Sequence, residues 1–180
     1  GLIQERLTGF ISHNEGRGDP ELIMKNKLNE RIKRYEFVLI DAPPNIGIIT
    51  RNALRMSDYY IIPVIPDYLS TFGIDELVSE LKNTYRMDIP CLGIIISKYR
   101  SNVSTHKKYY QILKAKSNDP GGNYVFNTTI RETVRLEDVP ELKNYYNRYT
   151  PGQLYGYGEL RGDIRKLTDE IIKKVEEYEQ

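Results

Sequence analysis

A run of four apolar residues, Phe-Val-Leu-Ile at 37–40, ends abruptly at Asp41 and constrains the fold more than any other stretch of the chain. The run is too short for a free-standing helix and is rich in strand formers, so it predicts a central strand that is buried on both faces. A carboxylate at the end of a buried strand is costly unless something pairs with it, and the carboxyl ends of strands in open α/β sheets are where ligands bind. Asp41 is therefore a candidate metal or phosphate-site residue.

A simpler alternative is that the Asp41 carboxylate only caps the helix that follows. The residues after Asp41 help to decide between a cap and a ligand site. Pro43 and Pro44 withhold backbone donors and make the exit from the strand rigid. Gly47 permits a close turn into the next helix. Because a cap does not need a stiff two-proline spacer, the double proline favours a ligand site over a cap.

Helical and strand patterns alternate along the rest of the chain. Helices are predicted over 21–34, 45–56, about 71–86, 103–116 and from about 158 to the end, and further strands over 59–64, 91–97 and 124–128. The pattern also predicts a short helix over 1–10 and loops over 12–20 and 131–156. Strands that alternate with helices long enough for crossovers predict an α/β fold with a doubly wound, mostly parallel sheet and flanking helices.

Composition narrows the class of protein. A chain of 180 residues with 39% hydrophobic and 28% charged residues has the size and balance of one ordinary soluble domain. Its single cysteine, Cys91, can form no internal disulfide, which favours a reducing cytoplasm. No apolar run in the printed sequence approaches the length that crosses a bilayer. Because the net charge is only +1, any affinity for nucleic acid must come from local clusters of charge.

Four motifs in this order resemble the second half of the ParA-type partition ATPases, which are deviant-Walker P-loop ATPases that segregate plasmids and chromosomes. The motifs are DAPPNIG at 41–47, NAL at 52–54, IPVIPDY at 62–68 with Gly73, and VFNTTIRETVRL at 125–136. The resemblance runs from about Tyr35 to Leu167. It implies a P-loop NTPase-like α/β fold.

The resemblance also implies roles for particular residues. Asp41 would be the Walker B carboxylate that holds Mg²⁺ through a water, with ATP as the second cofactor. The residues of the second switch would be Pro43, Pro44, Asn45 and Gly47. The residues that frame the adenine base would be Ser97, Lys98, Thr129, Ile130 and Arg131. By composition alone, Arg131 could equally be a surface residue.

The phosphate loop of such ATPases, G-x-x-x-x-G-K-[ST], does not occur in the printed sequence. The nearest glycine pair, in Gly16-Arg17-Gly18-Asp19, neither follows a strand nor supplies the lysine. Only 40 residues precede Asp41. We therefore expect the sequence to be a ParA-like domain over 1–180 that begins after the P-loop, with a helical and loop segment at 1–34 and the nucleotide-site and C-terminal part at 35–180. Such a chain should not hydrolyse ATP by itself; a natural relative without a P-loop is the alternative.

A cationic stretch at 98–116 contains no acidic residue. Its predicted helix turns Val103, His106, Tyr110 and Leu113 inward, which makes His106 an edge-of-core residue. Such a face suits phosphate contacts that hold DNA without reading its sequence, although a solvated helix face is the usual role of a lysine run. The candidate DNA-binding residues are Lys98, Arg100, Lys107, Lys108 and Lys114.

The resemblance further implies an ATP-dependent homodimer, nonspecific DNA as a ligand, a ParB-like centromere-binding partner and a cytoplasmic, nucleoid-associated location. A MinD-like membrane attachment is not expected, because the C-terminal residues 173–180 are net acidic. The iron-protein branch of these ATPases is excluded, because it needs two cysteines per subunit. A degenerate, non-enzymatic scaffold or adaptor remains the second hypothesis.

Overall fold

The structure is a computed structural model that describes residues 19–132 and 159–180. The helix predicted over 1–10, most of the loop at 12–20 and most of the loop at 131–156 lie outside these residues. The chain divides into two compact units: Gly1–Tyr60 with Arg86–Pro90, and Ile61–Tyr85 with Cys91–Gln180.

The first unit contains two of the predicted helices, with shorter bounds. A 3₁₀ turn at Pro20–Leu22 leads into α1, Ile23–Ile32, and α2 spans Ile48–Met56. Asp19 starts the first helical segment, because its side chain accepts a hydrogen bond from the Glu21 amide at 2.8 Å. Gly47, in extended backbone, is the N-cap of α2.

The prediction of a strand at 37–40 is wrong. These residues have no regular secondary structure, and the side chains of Phe37, Val38 and Leu39 are exposed. Strand-forming side chains adopt a strand only where a neighbouring strand supplies a hydrogen-bonded ladder. Within 19–132 and 159–180, no such ladder reaches this run. Asp41 therefore does not follow a buried strand, although it does begin the predicted proline loop.

The second unit holds most of the remaining elements. The strands are β1, Tyr60–Val64, which begins at the boundary of the units, and β2, Cys91–Ile96; the helices are α3, Tyr68–Ser79, α4, Ser104–Lys116, and α5, Glu159–Tyr178. Asp67 caps α3 by accepting a hydrogen bond from the Ser70 amide at 2.7 Å. After α3, a π-helical turn at Glu80–Thr84 ends the helical segment. These elements confirm the predicted helices at 71–86, 103–116 and 158 onward, with shifts of a few residues.

The sheet is parallel. The Tyr60 amide donates to the Pro90 carbonyl at one end of the β1–β2 pair, and the Ser97 amide donates to the Val64 carbonyl at the other. The segment after 123 runs parallel to β2 and to the residues that follow it, with isolated bridges at Ile94–Val125 and Tyr99–Arg131. The strand predicted at 124–128 is therefore reduced to a single bridge at Val125, because the second bridge lies beyond the end of β2 and no continuous ladder joins the two. A parallel sheet with flanking helices confirms the predicted α/β class.

Phe126 lies at the centre of the core of the second unit and is wholly buried, as is Ile96. Its ring packs edge-on against Tyr124 with the centroids 5.2 Å apart. Gly93 of β2 faces this pair so closely that a Cβ atom there would lie 2.7 Å from a carbon of the Phe126 ring. Glycine at position 93 is therefore required for the aromatic ring to reach the sheet.

Candidate nucleotide and nucleic-acid sites

The proline loop after Asp41 is held by local hydrogen bonds. The Asn45 amide donates to the Pro43 carbonyl at 2.8 Å, and the Thr50 hydroxyl donates to the same carbonyl at 3.2 Å. The Gly47 amide donates to the Asn45 side chain at 3.0 Å. Asp41 is exposed at the start of this loop and does not cap α2, since Gly47 holds the N-cap position. The Asp41 carboxylate is therefore exposed to solvent at the start of a loop that is fixed by hydrogen bonds.

The chemistry of this carboxylate fits a nucleotide-bound Mg²⁺ better than a metal held by protein alone. Mg²⁺ keeps several waters and commonly uses one or two carboxylates together with phosphate oxygens. Residues 19–132 and 159–180 contain no group of three or more His, Cys, Asp or Glu side chains that could hold a metal ion. A single exposed aspartate therefore suits a water-mediated contact to an ion that arrives with its phosphates.

Asn52 fixes the helix that follows the proline loop. Its side chain is wholly buried; the Oδ1 atom accepts from the Met24 amide at 3.0 Å, and the Nδ2 atom donates to the Pro20 carbonyl at 2.8 Å and the Ile48 carbonyl at 3.0 Å. Sequence reasoning noted Asn52 only as part of a motif. The available signal was its position inside a helix, where asparagine is unfavourable unless its side chain has partners.

In the second unit, the structure brings the predicted base-framing residues together. The Ile130 amide donates to the Ile96 carbonyl at 2.8 Å, and the Tyr99 amide donates to the Ile130 carbonyl at 3.0 Å. Ser97 and Lys98 therefore run beside 129–131 at the carboxyl end of β2. Lys98 has a left-handed backbone with φ of 48°, which is uncommon for a residue other than glycine and often marks a functional turn.

Two carboxylates of α5 hold this segment in place, and sequence reasoning missed both. Glu170 accepts from the Asn127 amide at 2.7 Å, the Thr128 amide at 3.0 Å and the Thr128 hydroxyl at 2.6 Å. Asp163 accepts from Arg131 Nε at 2.7 Å. Arg131 is thus tied to α5 beside the candidate base site. Nothing in the local sequence indicates these contacts, because each joins residues more than thirty positions apart.

Replacing Glu170 with glutamine is expected to lower the free energy of unfolding by about 1–3 kcal/mol, the range for hydrogen bonds to a charged, partly buried group. The amide retains one oxygen, so it cannot accept all three bonds from Asn127 and Thr128. Chemical denaturation would measure the loss. Asp169→Asn, at the exposed neighbouring position, is the matched control. Equal stabilities of the two variants would show that Glu170 does not hold the segment.

The predicted DNA-binding residues have different surroundings. Lys98, Lys107 and Lys108 are exposed. Arg100 is also exposed, but its guanidinium pairs with Glu132, and this hydrogen bond lowers the pKa of the Glu132 carboxyl. Of the inward stripe predicted for α4, Leu113 is buried, whereas Val103, His106 and Tyr110 are only partly buried and Tyr109 is buried instead.

Lys114 differs most from the expectation of a free cation. Its Nζ atom donates to the Val125 carbonyl at 2.7 Å and to Asn127 Oδ1 at 2.8 Å. Burial lowers the pKa of Lys114, and the nearby Glu170 carboxylate opposes that effect. The side chain therefore links α4 to the segment that leads to the base-framing residues. Lys107 and Lys108 remain the lysines of α4 that are best placed for phosphate.

The parallel sheet with helices around it defines an α/β protein. Solved structures show the same fold. A plasmid partition protein of Borrelia burgdorferi crystallised with AMPPNP has a TM-score of 0.61 at 22% identity, covering 90% of this chain and 61% of that one. The cobyrinic acid a,c-diamide synthase of Mycobacterium smegmatis, with an ATP analogue and magnesium, has a TM-score of 0.53 at 20% identity, covering 76% and 59%.

Sequence comparisons find relatives among partitioning proteins. A family model described as an AAA domain matches residues 5–92. The chromosome-partitioning ATPase Soj of Treponema pallidum is 31% identical over 137 residues, which are 74% of this chain and 53% of the relative. The sporulation initiation inhibitor Soj of Bacillus subtilis is 26% identical over 123 residues, which are 67% and 47%. These relatives confirm the predicted resemblance to the ParA-type partition ATPases, and the chain spans about half of their length.

The described helices include none that is long and apolar enough to cross a membrane.

Proposed function

We propose that this chain forms part of a ParA-type ATPase that moves plasmid or chromosomal DNA, with ATP and Mg²⁺ as cofactors. The observation that carries the proposal is the exposed carboxylate of Asp41. It lies at the start of a proline loop fixed by hydrogen bonds, in a sequence related to partitioning ATPases. The Borrelia relative was crystallised with AMPPNP, and the Mycobacterium structure holds an ATP analogue and magnesium. These ligands support nucleotide chemistry for this chain.

The candidate residues would have distinct tasks. In the first unit, Asp41 would hold Mg²⁺ through a water, and Pro43, Pro44, Asn45 and Gly47 would form the second switch, which responds to the γ-phosphate. Mg²⁺, when bound, would supply charge neutralisation at the transferred phosphoryl group. In the second unit, Ser97, Lys98, Thr129, Ile130 and Arg131 would frame the adenine base where β2 ends.

The 180-residue chain should not hydrolyse ATP by itself. The phosphate loop surrounds the phosphates with backbone amides and provides a lysine, and no Gly-Lys-Ser or Gly-Lys-Thr occurs in the printed sequence. Hydrolysis is therefore a property to test in the product of the complete natural coding sequence. ATP would drive that protein to a homodimer in the cytoplasm, where it associates with the nucleoid and meets a ParB-like centromere-binding protein.

Nonspecific DNA binding is supported by the exposure of Lys107 and Lys108 on α4, a helix without acidic residues. Replacing both with alanine is expected to reduce the slope of log affinity against log salt by about two, since each lysine releases roughly one counterion from duplex DNA. Fluorescence anisotropy with random-sequence duplexes, in the presence of ATP and Mg²⁺, would measure this slope.

The matched control replaces Arg165 and Lys166 of α5, which are exposed and carry the same total charge. If the control substitutions reduced the slope of log affinity against log salt as much as the α4 substitutions, binding would depend on overall charge and not on this helix. If the natural product bound no duplex at low salt, the DNA part of the proposal would be wrong.

The second candidate function is a non-enzymatic scaffold of the same fold, favoured by the absence of a phosphate loop from the printed sequence. A scaffold would bind its partners equally well with and without nucleotide. A partition ATPase would bind DNA only with ATP and Mg²⁺, so the same anisotropy experiment, repeated without nucleotide, distinguishes the two.

A further inference from the structure

Helix α5 contacts the segment 124–131, here called the base segment, from one end to the other. Three side chains of the helix make these contacts, each with a different part of the segment: Asp163 with Arg131, Glu170 with Asn127 and Thr128, and Lys174 with Tyr124. Their spacing of seven and four residues places the three on one side of the helix. Because the partners come earlier in the sequence as α5 advances, the helix and the base segment run antiparallel, side by side.

Glu170 takes the place of a strand partner in the middle of the base segment. The Phe126 amide donates to a carbonyl of β2 at 3.0 Å. The next two amides, of Asn127 and Thr128, donate instead to the Glu170 carboxylate at 2.7 and 3.0 Å. The Thr128 hydroxyl donates to the same carboxylate at 2.6 Å. A side chain of α5, and not the sheet, therefore fixes the backbone immediately before the base-framing residues.

Arg131, at the end of the base segment, is also fixed by α5. Its Nε atom donates to Asp163 Oδ2 at 2.7 Å, and its Nη2 atom lies 3.4 Å from Asp163 Oδ1. The Asp163 side chain is mostly buried, so solvent screens this pair less than a fully exposed one. Helix α5 thus sets both the backbone before the base-framing residues and the direction of the Arg131 side chain.

We propose that α5 sets the affinity of the site for the adenine base, with Glu170 and Asp163 as positioning residues. This inference rests on the proposed function, because it takes Thr129, Ile130 and Arg131 to frame the base. Groups that bind a ligand must be held within about 0.5 Å of the productive geometry by the side chains that support them. Loss of either carboxylate lets the base segment move and weakens its contacts with the base.

The effect belongs to the base and not to the phosphates. The contacts of Glu170 and Asp163 described above are to the base segment, whereas Asp41 and its loop belong to the first unit. A ligand that has phosphates but no base should therefore bind equally well whether or not α5 holds the segment. Because coupling between two equilibria is reciprocal, an occupied base site should also protect the contacts of Glu170.

The test uses the product of the complete natural coding sequence with Mg²⁺ and measures displacement of a fluorescent ATP analogue by two ligands, AMPPNP and inorganic tripolyphosphate. Glu170→Gln should raise the Kd for AMPPNP at least about fivefold, the lower end of typical coupling, and leave the Kd for tripolyphosphate unchanged. Asp163→Asn, the second variant, should show the same difference. In the unmodified protein, AMPPNP should slow hydrogen exchange of the Thr128 amide, and tripolyphosphate should not.

Asp169→Asn is the matched control, because it makes the same change of charge at the exposed neighbouring position. It should leave both Kd values unchanged, and denaturation curves would verify that the variants fold. If Glu170→Gln and Asp163→Asn bound AMPPNP as tightly as the unmodified protein, the inference would be overturned and the proposed function would stand. Equal weakening of both ligands would also overturn it, since the loss would not be specific to the base. If the unmodified protein bound neither ligand, the proposed nucleotide function would be wrong, and this inference with it.

Discussion

Replacing Phe126 with alanine should lower the free energy of unfolding by about 3–5 kcal/mol, the usual cost of truncating a buried aromatic side chain. The ring is wholly buried and packs against Tyr124 and the bare backbone of Gly93. Its removal leaves a cavity between β2 and the segment that carries the base-framing residues. Urea denaturation followed by circular dichroism would measure the change.

Phe72→Ala is the control for this prediction, because Phe72 is about half exposed on α3. Surface substitutions usually change stability by less than about 0.5 kcal/mol. If both alanine variants lost the same stability, Phe126 would not be the central residue of the core that the structure shows.

Replacing Asn52 with alanine should also lower the free energy of unfolding strongly, by about 2–4 kcal/mol. The substitution removes three hydrogen bonds and leaves the Met24 amide and the Pro20 carbonyl without their buried partner, at about 1–3 kcal/mol for each unsatisfied group. The loss would be centred on the first unit, which holds the Asp41 loop. Hydrogen exchange of the Met24 amide, together with denaturation, would detect it.

Asn45→Ala is the control, because it removes an asparagine side chain that is not buried. Asn45 is exposed and its side chain accepts one bond, from the Gly47 amide. Its replacement should cost at most about 1 kcal/mol. A larger loss at position 45 than at position 52 would contradict the packing described for the first unit.

Much of the fold could be predicted from the sequence, because the elements with clear periodicity formed where their patterns indicated. The strand at Cys91–Ile96 and the helix that begins at Glu159 are examples. The run at 37–40 has the composition of a buried strand, but composition does not specify a neighbour, and the ladder decides whether a strand forms. The same limit explains why Val125 forms a bridge and not a full strand.

The candidate site was predicted in part. Motifs identified the Asp41 loop, and the order of the strands brought Ser97 close to the 129–131 segment. Glu170, Asp163 and Lys114 could not be recognised as the residues that hold this segment, because their partners are distant in sequence and become neighbours only in the fold. Charge alone suggested a free cation at position 114, whereas the backbone carbonyl of Val125 binds it.

The central claim is that Asp41 holds the hydrated Mg²⁺ of a bound nucleotide. Its most direct test is Mg²⁺-dependent ATP hydrolysis by the product of the complete natural coding sequence, comparing Asp41→Asn with Asp58→Asn, an exposed carboxylate of the same unit. Loss of a group that orients a metal-bound water typically costs about 10- to 100-fold in metal affinity or activity. The account predicts that loss for Asp41→Asn, with a raised Mg²⁺ requirement, and full activity for Asp58→Asn. Unchanged turnover and Mg²⁺ dependence in Asp41→Asn would contradict it.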